Sequence, residues 1–182
     1  IASCLVGSEM CIRDSFFADA IEAQHAGLRA ILEDFEADAI VVDTMFCGTF
    51  PLLLGPRDER PAVVAVGISA LPLSSCDTAF FGTALPPSST PEGRARNRAM
   101  NANLQQAMFG DVQRHFDAVL RRLGASALPA FFVDAMVRMP DLYLQLTGPS
   151  FEYPRSDLPT SVRFVGPLLA PASRDFTPPD WW

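Results

Sequence analysis

Two short apolar runs constrain this chain more than anything else in it: Ala39-Ile40-Val41-Val42 and Ala62-Val63-Val64-Ala65-Val66. Runs of that length, rich in β-branched residues and bounded by turn formers, read as fully buried strands. Between them, residues 48–54 leave room for one short helix. Pro51 is tolerable only in its first turn, and Gly55-Pro56 closes it. A strand, a helix and a strand on short links is the unit from which a parallel sheet is built. Residues 142–146 and 162–165 supply two further strands. The expected fold class is therefore α/β, an open, mostly parallel, Rossmann-like sheet.

The helices follow from spacing. Phe17, Ile21, Leu28, Ile31, Leu32 and Phe35 fall at three- and four-residue steps, which predicts an amphipathic helix over 17–35. Thr90 reads as a helix cap and Pro91 as the first helical residue. That helix runs to about Leu123, with a break expected at Gly110, and Gly124 supplies a left-handed stop. A short helix is expected near 131–137, and residues 57–60 read as a charged loop. Residues 67–91 are dense in Gly, Ser and Pro yet carry Phe80, Phe81 and Leu85. A long loop with aromatics inside a compact domain points to function. In an open α/β sheet, ligands bind beyond the carboxyl ends of the strands. That places residues 43–48 and the loop after Val66 beside any site.

Charge and composition remove other classes. The net charge is −7, which argues against nucleic-acid binding and against anionic membranes. No apolar run reaches the ~18 residues of a membrane span, and no secretory leader is expected, so a cytoplasmic location is. All basic residues are arginine, which fits a G/C-rich bacterial gene. Residues 5–15, LVGSEMCIRDS, read as a translated sequencing adapter, so residues 1–15 are set aside and native sequence is expected from Phe16. Cys4 and Cys11 then carry no chemistry. Cys47 and Cys76 lack metal-site spacing and read as buried, inert thiols; no metal site is expected.

Four segments carry a resemblance. VVDTMFCG at 41–48, RNRAMN at 96–101, FEYPRSDLP at 151–159 and VRFVGPL at 162–168 are similar to family 1 glycosyltransferases of the bacterial macrolide- and rhamnosyl-transferase-like group. The resemblance implies the incomplete N-terminal domain of a two-domain GT-B fold. Residues 16–167 would be the acceptor-binding domain and 168–182 the start of an interdomain linker. It further implies an inverting transferase that moves a sugar from a nucleotide-sugar to a hydroxyl of an apolar small molecule. The donor would be held mainly by a C-terminal domain outside this chain. No other cofactor is implied, and the fragment by itself would be inactive.

The same resemblance gives Asp43 the task of orienting a catalytic histidine that lies outside these residues. On the residues alone, Asp43 reads equally as a cap of the following helix. Gly48, Ser69, Asp77, Phe80 and Phe81 are the candidate acceptor contacts. Phe80, Phe81, Phe131 and Phe132 could all line an acceptor pocket, yet core is the simpler reading of each ring. His25 and His115 lie in helical patterns with no carboxylate and nucleophile arranged around them, and read as ordinary boundary histidines. Arg94, Arg96 and Arg98 read as a solvated helix face. Two alternatives from other classes stay open: a non-catalytic binding or subunit-pairing α/β module, and a hydrolase using Ser69. The second is weakened because GISAL at 67–71 lacks the second glycine of a nucleophile elbow.

Overall fold

The computed structural model describes residues 18–168, 177 and 179–181. Residues 1–15, the start of the first predicted helix and most of the expected linker lie outside them. Four strands form one sheet in the order β1-β2-β3-β4. They are β1 (Ala39–Asp43), β2 (Ala62–Gly67), β3 (Leu142–Gln145) and β4 (Val162–Phe164). Every pairing is parallel. Helix α1 (Ala20–Asp34) precedes the sheet, and a 3-10 turn (Cys47–Thr49) leads into α2 (Phe50–Leu53) between β1 and β2. The β2–β3 connection holds the long α3 (Pro91–Arg122) and the short α4 (Phe132–Arg138).

One rung crosses the whole sheet in register: Val42 opposite Ala65, Ala65 opposite Tyr143, Tyr143 opposite Val162. These side chains join Leu71, Leu73 and Val137 in one apolar cluster. The period-2 pleat sends the neighbouring rung, Val41–Val64–Leu142, to the other face. Val41 there is 70% exposed. Here the expectation of fully buried strands is corrected. β1 alternates exposed and half-buried residues and β2 half-buried and buried ones, so among the described residues one face of the sheet is better covered than the other. Among the described residues β1 is also an edge, paired only to β2.

A second and larger cluster lies among the helices. Ile21 of α1, Phe50 of α2, Phe116, Val119 and Leu120 of α3, and Phe132 and Met136 of α4 all pack in it. Phe116 and Phe132 stack with ring centroids 4.8 Å apart. Two surface pairs, Asp19–His115 and Glu22–Arg122, tie α1 to α3.

α3 begins as expected: the Thr90 hydroxyl accepts the Gly93 N–H at 3.1 Å, with Pro91 in the first turn. It also ends as expected, with Gly124 at φ 78°. The break at Gly110 does not occur; α3 is one continuous helix of 32 residues. A glycine costs an interior turn only ~1 kcal/mol, which packing on both sides of it, through Phe109 and Val112, outweighs. Residues 57–60 are more ordered than a loop. Arg57–Glu59 is a 3-10 turn, and Arg57 and the following Arg60 both clamp Asp141, at 2.8 and 2.7 Å.

Candidate functional site

Beyond the carboxyl ends of β2 and β3 the chain encloses a cavity of about 530 Å³. Its walls come from three places: residues 70–85 after β2, the middle of α3 with the start of α4, and residues 151–155 after β3. Aromatic rings dominate the lining. Phe80 faces Phe109 with centroids 6.3 Å apart, and Phe109 meets Phe131 edge-on at 5.8 Å. The rings then continue through Phe132 into the helical core. A cavity of this size and lining suits an apolar small molecule.

The loop that makes one wall has no helix or strand of its own. A polar ladder on α3 holds it. Residues Arg94, Asn97, Asn101 and Gln105 recur at helical spacing and face the loop. Asn97 Nδ2 donates to the Cys76 carbonyl, and Asn101 Nδ2 donates to the carbonyls of both Ser75 and Thr78. Gln105 Nε2 donates to the Ser74 hydroxyl at 2.8 Å. Asn97 is fully buried, and Asn101 is 7% exposed. Buried amides of this kind are stable only when paired, and here each pairs with backbone that would otherwise be orphaned.

The same loop is tied to the segment after β3. Asp157 accepts from the Ser75 hydroxyl at 2.6 Å and from the Cys76 N–H at 2.9 Å. Asp77 accepts the Ser156 N–H through one oxygen and Arg94 Nε through the other, at 2.6 and 2.7 Å. The Ser156 bonds and the Arg94 guanidinium hold the Asp77 carboxyl down at about 2. Asp134 binds the Ser74 N–H from below at 2.8 Å, although burial pushes its carboxyl up. A buried pair, Glu152 and Arg155, sits in the remaining wall at 3.4 Å. Arg155 also donates to the Leu71 carbonyl, and Glu152 accepts the Leu71 N–H.

Phe80 and Phe81 both line the cavity, Phe80 half-buried and Phe81 74% exposed at its mouth. Phe131 lines it as well, whereas Phe132 is core. The other residues singled out from sequence do not meet there. Asp77 is buried behind the wall, with both carboxylate oxygens engaged within the fold. Ser69 is exposed beside the cavity, its hydroxyl donating to the Ala70 carbonyl. Gly48 lies elsewhere, pressed against α1: a Cβ on it would stand 2.5 Å from the Gln24 Cβ. Its N–H and carbonyl pair with Gln24 and His25 at 2.9 and 3.0 Å.

Asp43 sits at the carboxyl end of β1, exposed, in register with Val66 on the open face. Its Oδ1 accepts the Met45 N–H at 2.8 Å. This is a turn bond; the 3-10 turn that follows has no side-chain cap. His115 is corrected in one respect: a carboxylate does face it, Asp19 at 2.7 Å. Among the described residues no nucleophile joins them, and His25 is bound to Gly48, so neither imidazole serves Ser69. Arg94 is likewise more than a solvated charge, since it pairs with buried Asp77. Cys47 is buried, and burial pushes its thiol up to about 12. Cys76 is only half-buried, within 4.8 Å of Asp77 and Asp157, whose oxygens are taken up by the bonds above.

The comparisons bear on this geometry. No family model matches the chain. Over 172 residues it is 44% identical to the UDP-glycosyltransferase 2 of Phaeomoniella chlamydospora, a match covering 90% of this chain and 37% of that protein. It is also 44% identical over 172 residues to the 4'-demethylrebeccamycin synthase of Lentzea aerocolonigenes, covering 93% of this chain and 39% of that protein. The chain belongs to the family 1 glycosyltransferases. It spans 37% and 39% of the length of these two family members. Among solved structures, the glycosyltransferase of kitacinnamycin superposes with a TM-score of 0.60 at 19% identity, over 92% of this chain and 38% of that one. That likeness concerns the fold: the parallel sheet and its helices are shared with part of a larger glycosyltransferase.

The ladder on α3 is what sequence reasoning missed. Its signal was present in RNRAMN, where Asn97 and Asn101 stand one turn apart. Short polar residues inside a helix are poor helix formers, so two of them on one face mark a bonding task.

Proposed function

We propose that this chain is the acceptor-binding, N-terminal part of an inverting glycosyltransferase. The whole protein would transfer a sugar from a nucleotide-sugar to a hydroxyl of an apolar small molecule. The observation that carries this reading is the aromatic-lined cavity of about 530 Å³ beyond the strand ends, in a chain of this family. The acceptor lies among Phe80, Phe81, Phe109 and Phe131, and its reacting hydroxyl points toward the donor half of the protein.

In the step itself the hydroxyl oxygen attacks the anomeric carbon. The bond from that carbon to the diphosphate breaks, and the nucleoside diphosphate leaves with the electron pair. The hydroxyl proton passes to a histidine acting as general base. Asp43 orients that ring and stabilises its cationic form. Its exposed position at a strand end, with Oδ1 already fixed by Met45, suits the task. Such a protein needs no cofactor besides its donor substrate. A cytoplasmic, bacterial setting belongs to the same proposal and rests on sequence composition alone; among the described residues no helix is long and apolar enough to cross a membrane.

The test is sugar transfer by the complete protein. Asp43→Asn is expected to lower kcat at least a hundredfold while leaving acceptor affinity within about twofold. Unchanged kcat would remove Asp43 from the mechanism. Absence of sugar transfer to any apolar hydroxyl compound would remove the function.

A further inference from the structure

RNRAMN contains one more residue with an unfinished bond. Asn101 lines the cavity and is 7% exposed. Its Nδ2 donates to two carbonyls, Ser75 at 3.2 Å and Thr78 at 3.1 Å. Those bonds use both amide hydrogens and fix which way the amide faces. The Oδ1 that remains accepts no hydrogen bond from any described residue, and it belongs to a wall otherwise built mostly of aromatic and aliphatic side chains. Of the charged groups in the same cavity, Arg155 leaves its buried Nε without a partner among the described residues, but that N–H is a donor and cannot stand in for an acceptor. Glu152 and Arg155 neutralise each other, and both also bond to Leu71. Ser74, Thr78, Thr83 and Tyr153 bring hydroxyls to the wall, but a hydroxyl turns to suit donor or acceptor alike.

We infer that Asn101 Oδ1 is a specificity-determining acceptor, selecting neutral, ring-sized apolar ligands that carry an O–H or N–H donor besides the hydroxyl to be glycosylated. The inference rests on the cavity being the acceptor site. The physical reason for selectivity is the asymmetry of buried hydrogen bonds. A ligand with the donor completes the Asn101 amide, whereas one without it strips water from that oxygen and returns nothing. Because the amide is held by two backbone carbonyls, it cannot turn away to relieve the loss.

The probes are 1-hydroxypyrene and 1-methoxypyrene, titrated by fluorescence against the complete protein. They share the ring system and differ in the donor. The added methyl favours the methoxy compound on apolar grounds alone. The protein is expected to bind 1-hydroxypyrene about tenfold more tightly. In Asn101→Leu that preference is expected to fall to about one, whatever happens to the two affinities separately. Loosening of the loop weakens both probes together and leaves their ratio alone, so the ratio isolates the hydrogen bond. Equal binding of the two probes by the unsubstituted protein overturns the inference without any variant, and leaves the cavity as an acceptor site. A preference that persists in Asn101→Leu overturns it as well. Binding of neither probe overturns the inference and the reading of the cavity together.

Discussion

The two halves of α3 do different work with the same backbone. The C-terminal half presents Val112, Phe116, Val119 and Leu120 to the helical core. The N-terminal half presents Arg94, Asn97, Asn101 and Gln105 to a loop without regular structure. Apolar packing has no direction: it rewards area and shape, and it holds whole elements together. An amide ladder has direction, because each bond needs one donor at one carbonyl. The first half therefore secures the fold, and the second places Phe80 and the rest of the cavity wall. A loop that must stay irregular, so as to wrap a ligand, gets its order from the helix beneath it.

The contrast has a scale. Phe116→Ala removes a fully buried ring that stacks on Phe132 and meets Phe50 edge-on. It is expected to cost about 3–5 kcal/mol in urea unfolding. A cost below ~1 kcal/mol would show that the helical cluster is not what holds the fold. Asn97→Ala leaves the Cys76 carbonyl without its partner and is expected to cost about 1–3 kcal/mol. The distinguishing result is where the damage falls: limited proteolysis should open residues 78–85 in Asn97→Ala at concentrations of denaturant that leave the helices protected. Equal protection of loop and helices would erase the division between the two halves.

The smallest effect is electrostatic. The Asp77 carboxyl is held at about 2 in the folded chain, below its ordinary value of 3.8. The folded state therefore binds this proton less readily than the unfolded one. The stabilisation is fully present above about pH 4 and is lost as pH falls through about 2. Asp77→Asn should flatten the acid limb of the stability–pH curve in that window and leave the neutral region parallel to the original. An unchanged acid limb would mean that the link from Asp77 to Ser156 and Arg94 does not form in solution.

Much of the scaffold was legible. β-branched runs announced the strands, and all four pair in parallel. Thr90 and Gly124 marked the ends of α3 because a cap and a left-handed stop are local chemistry. Gly110 misled because a glycine's cost is local while the packing that overrides it comes from distant residues. Asp77 and Gly48 were expected as acceptor contacts, and neither lines the cavity. Asp77 proved to be bonded to Ser156 and Arg94, and Gly48 to be a point of close approach to α1.

What the sequence determined by itself was periodicity: which stretches are strands, which are helices, where each stops, and that the sheet is parallel. Those properties depend on residues a few positions apart, and the chain carries them wherever it is placed. Only the tertiary structure decided which face of the sheet is covered, that Asn97 and Asn101 spend their amides on a loop more than twenty residues away, and that this loop closes a cavity. A hydrogen bond between distant segments leaves no period in the sequence. It exists only once packing has brought donor and carbonyl within three ångströms or so of each other.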